Sequence, residues 1–391
     1  MSQPTVTIIV VPRERFQFAR ESLDSLYENT FVPFKLIYVD NNSPGKLQQH
    51  IEFQSLLRGF HVIRSQAYLS PNQARNLGLQ HVTTPHVVFV DNDVIFTPGW
   101  LEKLVSCAEE TGATVVGSLI CQYQPVHTTV HCAGGTYMAP AAYSAFARGE
   151  LNPYGTLDQT GGWKIQERTP YQNQPLAEVR DQLRRQPTGF VEFHAMLVRT
   201  AIFDRIGSLD EGFSCTKEYL DFCMMVTRAG GLIYLEPDSV VTFLTHPPAP
   251  ALQWRDLPYF MLRWSDDWEL SNLLHYQQKW GLQESSYFQK RYQKLGQRRR
   301  KVLIRPIAKK FAFLGKPATK WIEKQLFNLE KRFNRWFSKR HAKRLAVAQR
   351  ISGLRQHLNN DIPKLAQPNV NPVTRQQTPS DESENHSLMQ H

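Results

Sequence analysis

Two carboxylates, Asp91 and Asp93, flank Asn92 directly after the dry run His86-Val87-Val88-Phe89-Val90. Residues at i and i+2 of an extended chain point the same way, so this spacing aims both acids to one side of a strand end. Paired hard oxygens suit Mg²⁺ or Mn²⁺, which keep open positions for the oxygens of a diphosphate. Open α/β sheets collect ligands at the carboxyl ends of their strands. A D-x-D of this kind is otherwise a solvated strand end, so the elements around it decide its meaning.

Those elements alternate. Residues 5–12 (TVTIIVVP) read as a buried strand and 15–29 as a helix. Residues 34–40 read as a second strand, closed by the turn cluster Asn41-Asn42-Ser43-Pro44-Gly45. A short third strand covers 61–64. Ser70-Pro71 starts a helix that runs to Leu79, and Pro98-Gly99-Trp100 opens another over 99–110. This rhythm predicts an α/β fold with a mostly parallel central sheet and helices on both faces. Residues 111–187 are irregular and read as an insertion facing a substrate cleft. Order returns with a strand over Gly189–Arg199, a helix near Ile202–Ile206, a helix within Ser214–Ala229, a strand at Gly231–Leu235 and helical residues 257–280.

Composition narrows the class. Of 391 residues, 41% are hydrophobic and 21% charged, enough to bury a core. No stretch reaches the ~18 apolar residues of a membrane span. The start reads as a strand and not as a leader. Cysteines 107, 121, 132, 215 and 223 have no metal spacing, which predicts reduced, buried thiols and a cytoplasmic location. The net charge of +11 is uneven. Residues 290–350 hold 21 Lys/Arg against Glu323 and Glu330, a net of +19, while residues 1–289 carry −7.

The ordered set Thr7-Ile-Ile-Val-Val-Pro12, Tyr38-Val39-Asp40-Asn-Asn-Ser43, Asn72-Gln-Ala-Arg75-Asn76-Leu-Gly78 and Phe89-Val-Asp91-Asn-Asp93 resembles the family 2 glycosyltransferases of the GT-A fold. The stretch Phe190 to His246 resembles that family's acceptor half. The resemblance covers roughly residues 5–280. It implies a nucleotide-diphospho-sugar donor, with a UDP-sugar favoured, a divalent metal, and transfer with inversion to a hydroxyl of a glycan or lipid-linked acceptor. Asp91 and Asp93 match the metal-binding acids, and His246 the histidine that completes the site in related enzymes. Pro12, Asp40, Arg75, Asn76 and Asp91 match positions that hold the nucleotide-sugar. A guanidinium at Arg75 suits a diphosphate through charge-assisted bonds.

Two departures stand out. Thr216-Lys-Glu218-Tyr-Leu-Asp221 resembles the family's E-D-x-D motif, but Tyr219 replaces the acid that serves many members as base. Glu218 is then the first choice for the base and Asp221, one helical turn on, the second. The loop after the first strand, Pro12-Arg13-Glu14-Arg15-Phe16, also lacks the family's Pro-x-aromatic-Asn. It carries no glycine-rich phosphate loop, which counts against a sugar-nucleotide nucleotidyltransferase. The loss of an acid at 219 keeps a third reading, a non-catalytic glycan- or nucleic-acid-binding protein. Trp100, Trp254, Trp264 and Trp268 are candidates to stack on a sugar, though core packing is the commoner use of such rings.

The expected domains are a catalytic body over 1–285, a basic helical extension over 286–358 and a disordered polar tail over 359–391. In the extension, Ile322, Leu326, Leu329, Phe333, Trp336 and Phe337 repeat at helical spacing among Lys and Arg. A basic amphipathic helix with aromatic residues predicts binding to an anionic membrane, here the cytoplasmic face, through residues 290–350. A charged helix packed on the body, or an oligomerising one, has the same pattern. Nucleic acid is disfavoured as a partner because no binding motif accompanies the charge.

Overall fold

The computed structural model describes residues 5–137, 167–245, 252–282, 284 and 286–365. The chain divides into two compact units, Met1–Leu345 and Ala346–His391. The polar tail expected from residue 359 lies mostly outside the described residues, as do residues 138–166 of the insertion expected over 111–187.

The first unit is built on a ten-stranded sheet in the order β3-β2-β1-β4-β9-β6-β10-β5. Its strands are β1 (Val6–Val11), β2 (Phe34–Asn41), β3 (His61–Ser65), β4 (His86–Asp91), β5 (Val94–Phe96), β6 (Val115–Gln122), β7 (Thr129–Cys132), β8 (Gln186–Pro187), β9 (Ala195–Arg199) and β10 (Ile233–Phe243). Strands β1, β2, β3 and β4 pair in parallel, as do β6 and β10. The remaining pairs, including β4 with β9 and β9 with β6, are antiparallel. This is the mixed α/β, GT-A-type architecture that the sequence rhythm and the resemblance lead one to expect.

β1 and β4 are buried along their whole length, so they read as apolar runs without alternation. Burying a single Ile or Val side chain contributes roughly 2 kcal/mol, and these two strands bury eight. Helices α1 (Ala19–Glu28), α3 (Pro71–Leu79) and α4 (Trp100–Thr111) pack against the sheet. The Ser70-Pro71 start signal is a complete capping box: Ser70 accepts from the Gln73 amide, and Gln73 accepts from the Ser70 amide. A helix that the pattern did not foretell, α2, covers Gly45–Arg58.

The strand expected over Gly189–Arg199 is regular only from Ala195. Before it, residues 190–194 lie against β6 so closely that a Cβ on Gly117 would meet Val191 at 2.3 Å. Gly117 thus lets an irregular segment rest on the sheet and turn His194 inward. Five cysteines are free and buried, as expected of reduced thiols. No described helix is long and apolar enough to cross a membrane.

Helices α5 (Glu218–Arg228), α6 (Leu257–Arg263), α7 (Asp266–Lys279), α8 (Ser286–Gln293) and α9 (Lys316–Leu365) complete the chain. The first compact unit takes in residues 286–345 together with the strands. Arg299, fully buried, ties them in by donating to the Trp264 carbonyl, Asp266 and Glu330. The face of α9 that meets the body carries Phe327, Asn334, Ser338 and His341. Asn334 donates to the Met261 carbonyl at 2.8 Å, and Ser338 donates to Asp267. Of the expected apolar stripe, Leu329, Phe333 and Trp336 are more than half exposed, as is the neighbouring Trp321, while Ile322, Leu326 and Phe337 are half-buried.

One long-range pair closes the fold around the loop after β1. Glu14 accepts from Arg263 of α6 at 2.8 Å, with both side chains buried. Burial pushes the Glu14 carboxyl up, but Arg263, Arg15 and Arg13 outweigh it and hold it at about 2, against the usual 4.5. A depressed carboxyl stabilises the fold fully above about pH 4.5, and that stability is lost as the pH falls toward 2. Glu14→Gln should lower stability by about 3 kcal/mol at pH 7, because it leaves Arg263 without a counter-charge. It should also flatten the loss between pH 4.5 and 2. Urea unfolding across pH 2–7 checks this, and equal slopes for the two proteins would show that Glu14 does not carry the acid limb.

Candidate functional site

The carboxyl ends of β1 and β4 lie side by side, with Val11 opposite Asp91. The tight turn Asp91-Asn92-Asp93 follows and leads straight into β5. Asn92 holds this turn to the first loop by accepting from the Arg13 amide at 3.1 Å. Arg15 sits at φ 64°, ψ 42°, a left-handed conformation uncommon for a residue with a side chain. That turn sends the Arg13 and Arg15 side chains back to the acids. Arg13 pairs with Asp91, and Arg15 pairs with Asp93. The loop that departs from the family's pattern thus supplies both counter-ions, Arg15 at a departing position and Arg13 at the variable one.

Around this turn is a cleft of about 460 Å³. Its walls include Arg13, Arg15, Asp91, His194, Glu218 and Trp264. Arg75 stands behind it, fully buried, 3.6 Å from Asp91 and 3.9 Å from Glu218, its guanidinium 4.0 Å from the Phe193 ring centroid. Burial lowers the Arg75 pKa to about 10, against the pull of Asp91 and Glu218. Burial raises the Asp91 carboxyl, but Arg13, His194 and Arg75 hold it well below the usual carboxylate range. Glu218 opens α5, where a negative charge is favoured by the helix dipole, and also lies 3.7 Å from Arg13.

The structure thus brings Asp91, Asp93, Arg75 and Glu218 together. The other expected residues are placed differently. Asp40 accepts from the Ser43 amide at 3.0 Å and pairs with Arg64, away from the cleft wall. Asn76 is a clamp: its amide donates to the Leu209 carbonyl and to Glu211, and it accepts from the Leu209 amide. Pro12 ends the β1 run and does not line the cleft. Asp221 points to the far side of α5, where Trp280 and Lys279 donate to it. Burial raises its carboxyl above the usual range, and Lys279 opposes this. His246 lies outside the described residues. Of the four candidate tryptophans, Trp264 lines the cleft, Trp100 is buried in the core, Trp254 is exposed, and Trp268 is half-buried with its ring 6.3 Å from that of His341.

At the position where Tyr219 replaces an acid, its hydroxyl donates to Glu167 at 2.7 Å. Lys217 pairs with the same carboxylate. The Tyr219 hydroxyl is pushed well above its usual range by burial and then by Glu167 and Glu192.

The residue that sequence reasoning missed is His194. Its Nδ1 lies 2.8 Å from Asp91 Oδ2, and its Nε2 lies 3.5 Å from Glu192 Oε2. Ligand atoms of Asp91, Asp93 and His194 all fall within 4.8 Å of one another. Asp91 Oδ1 and Asp93 Oδ1 are buried with no hydrogen-bond partner among the described residues. Buried carboxylate oxygens are seldom left so, and two of them beside an imidazole fit a divalent cation with mixed oxygen and nitrogen ligands. The Phe243 ring stacks on His194 at 4.3 Å and fixes its plane. His131 Nε2 lies 3.1 Å from the same Glu192 oxygen. Burial raises the Glu192 carboxyl, but His131 and His194 hold it at about 2. A carboxylate behind a ligating imidazole sets its orientation and tautomer. In the sequence these residues are isolated letters, with 103 and 63 positions separating His194 from Asp91 and His131.

Comparison with known proteins agrees with the motifs. An uncharacterized glycosyltransferase of Haemophilus influenzae is 27% identical over 119 residues, which is 30% of this chain and 37% of that protein. Solved structures similar to it include GalNAc-T7 with UDP, GalNAc and Mn²⁺ (13% identity, 73% of this chain and 56% of that one, TM-score 0.45). They also include TarS of S. aureus in complex with UDP (14% identity, 74% and 69%, TM-score 0.42). A third is the mannosyltransferase PcManGT of Pyrobaculum calidifontis with GDP-Man and Mn²⁺ (14% identity, 90% and 88%, TM-score 0.43). The match thus spans little more than a third of the curated relative and just over half of GalNAc-T7. Residues 7–207, more than half of the chain, match glycosyl transferase family 2, and the chain belongs to that family.

Proposed function

We propose that this protein moves a sugar from a nucleotide-diphospho-sugar, a UDP-sugar by preference, to a hydroxyl of a glycan or lipid-linked acceptor, with inversion at the anomeric carbon. The observation that carries the proposal is the convergence of Asp91, Asp93 and His194 beside three arginines at the strand ends of a family 2 fold. Asp91, Asp93 and His194 would hold Mn²⁺ or Mg²⁺, with Mn²⁺ favoured by the imidazole. A cation bound there would supply positive charge beside the donor's diphosphate and favour its departure.

The residues of the chain do the rest. When donor enters, Arg13 and Arg15 leave the aspartates and turn to the diphosphate oxygens, where guanidinium groups form paired, charge-assisted bonds. Arg75 stays behind Asp91 and keeps its carboxylate aimed at the cleft. Glu218 is the base. The acceptor oxygen attacks the anomeric carbon from the side opposite the diphosphate, and its proton passes to Glu218. The bond from that carbon to the diphosphate oxygen breaks, and the electron pair leaves with the nucleoside diphosphate. Asp221 and Asn76 act as positioning residues, the first by anchoring α5 to Lys279 and Trp280. Asp40 supports the nucleoside side of the cleft through the turn after β2.

Two variants separate these roles. Asp93→Ala should abolish metal-dependent nucleotide binding. Glu218→Gln should leave donor binding within a fewfold of wild type and lower turnover about 10²-fold or more. Calorimetry with Mn²⁺ and UDP, together with transfer rates, distinguishes them. Wild-type Mn²⁺–nucleotide binding in Asp93→Ala would reject the metal assignment, and unchanged turnover in Glu218→Gln would reject the base.

We further propose that α9 holds the enzyme on anionic membrane. The support is the exposed stripe Trp321, Leu329, Phe333 and Trp336 within a region of net charge +19. Aromatic rings on a basic helix insert at headgroup level after electrostatic capture. Trp321→Ser with Phe333→Ser and Trp336→Ser should abolish co-sedimentation with phosphatidylglycerol vesicles at unchanged thermal stability, and ~0.5 M salt should weaken wild-type binding. Equal pelleting of variant and wild type would contradict the membrane role.

A further inference from the structure

A second cavity of about 880 Å³ adjoins the cleft and shares Cys215, Thr216, Trp264, Arg291 and Arg298 with it. It has two chemistries. Leu273, Leu295, Val302 and Pro306 give it apolar walls. Lys290, Arg291, Lys294, Arg298 and Lys301 give it five cations, against the single acid Glu269.

These five differ from their neighbours in sequence. Arg299, Arg300 and Arg305 are spent on Asp266, Glu323 and Glu330. None of the five groove cations is in an ion pair among the described residues, and Glu269 is already an acceptor for the Gly296 amide at 2.7 Å. Arg298 lies over Trp264, 4.1 Å from the ring centroid, at the border between groove and cleft. Arg291 stands at the same border. Past Pro306 at the end of the groove lining, Ile307, Phe311 and Phe313 are exposed.

A neutral glycan would leave five like charges facing one another without an anion. A purely anionic polymer would leave the apolar walls wet. An amphiphile with a phosphate at one end satisfies both. We propose that this groove seats the lipid-phosphate end of a lipid-linked acceptor: the phosphate lies between Arg291 and Arg298 at the edge of the donor cleft, the sugar it carries presents its hydroxyl to Glu218, and the hydrocarbon chain follows Leu295 and Val302 toward the exposed 307–313 surface. Guanidinium pairs recognise phosphate by geometry as well as charge, and the lysines add a field that draws the headgroup in. The proposal rests on the transferase reading, since it names the acceptor class of that reaction.

The test uses the full chain and three probes, farnesyl phosphate, farnesol and inorganic phosphate, by calorimetry in non-ionic detergent. Binding of UDP with Mn²⁺ is measured on the same protein. Farnesyl phosphate should bind at least tenfold more tightly than either of the other probes. Lys294→Glu with Lys301→Glu should weaken it at least tenfold, with folding followed by circular dichroism; Lys294→Gln with Lys301→Gln serves if charge reversal prevents folding. Farnesol binding as well as farnesyl phosphate would overturn the proposal in favour of a plain apolar pocket. Inorganic phosphate binding as well would reduce it to an anion site, and no binding of farnesyl phosphate would reject it. Failure of the lipid arm while UDP–Mn²⁺ binds rejects the groove alone. Failure of UDP–Mn²⁺ binding rejects the donor reading, whatever the lipid does.

Discussion

Four guanidiniums and four carboxylates share one water-poor space: Arg13, Arg15, Arg75 and Arg263 against Glu14, Asp91, Asp93 and Glu218. Each is at most 8% exposed. Moving an ion out of water costs several kcal/mol after relaxation, so such a group holds together only when every charge has a partner in place. That requirement shapes the backbone around it. Arg15 takes a left-handed conformation, the loop after β1 bends back over β4, and α6 is drawn in through Arg263 from 249 residues away. β1 and β4, buried throughout, are the rigid floor that keeps the two loops in register.

The same balance prepares the site for its ligand. The nucleoside diphosphate and divalent cation of the proposed reaction would bring an anion for the arginines and a cation for the aspartates in one event. On the proposed reading both halves of the internal pairing would change partners together, with no charge left buried alone at the end. An arrangement already organised for charge needs little rearrangement in the reaction, which is where electrostatic catalysis gains most. His194 and Glu192 extend the arrangement away from the strand end, and the groove cations carry positive charge on toward the expected acceptor.

How much of this could be read from the letters follows from how local each cause is. β1, β2 and β4 are legible because burial on both sides makes uniform apolar runs. The start of α3 is legible because Ser70-Pro71 and Gln73 form a cap within four residues. The D-x-D is legible because it is three letters long. α2 is not, because Phe53, Leu56 and Leu57 are exposed and its buried face is only Leu47 and Ile51. The break in the strand before Ala195 depends on Gly117 in another strand, so no local pattern reveals it. His194 gains meaning only from Asp91 and Glu192, which the fold supplies. Asp221 shares a helical turn with Glu218, yet the packing of α7 turns it to Lys279 and Trp280. In α9 the apolar period was correct, but the face with polar residues is the one that docks, because Asn334 and Ser338 meet the Met261 carbonyl and Asp267.

The central claim is that Arg13 and Arg15 occupy the aspartates until a nucleotide takes them away. Mn²⁺ titration followed by electron paramagnetic resonance, with and without saturating UDP, tests it most directly. The account predicts weak Mn²⁺ binding by the protein alone and at least tenfold tighter binding with UDP. Arg13→Ala with Arg15→Ala should bind Mn²⁺ more tightly than wild type in the absence of nucleotide. Equal Mn²⁺ affinity with and without UDP, beyond what UDP itself binds, would contradict it.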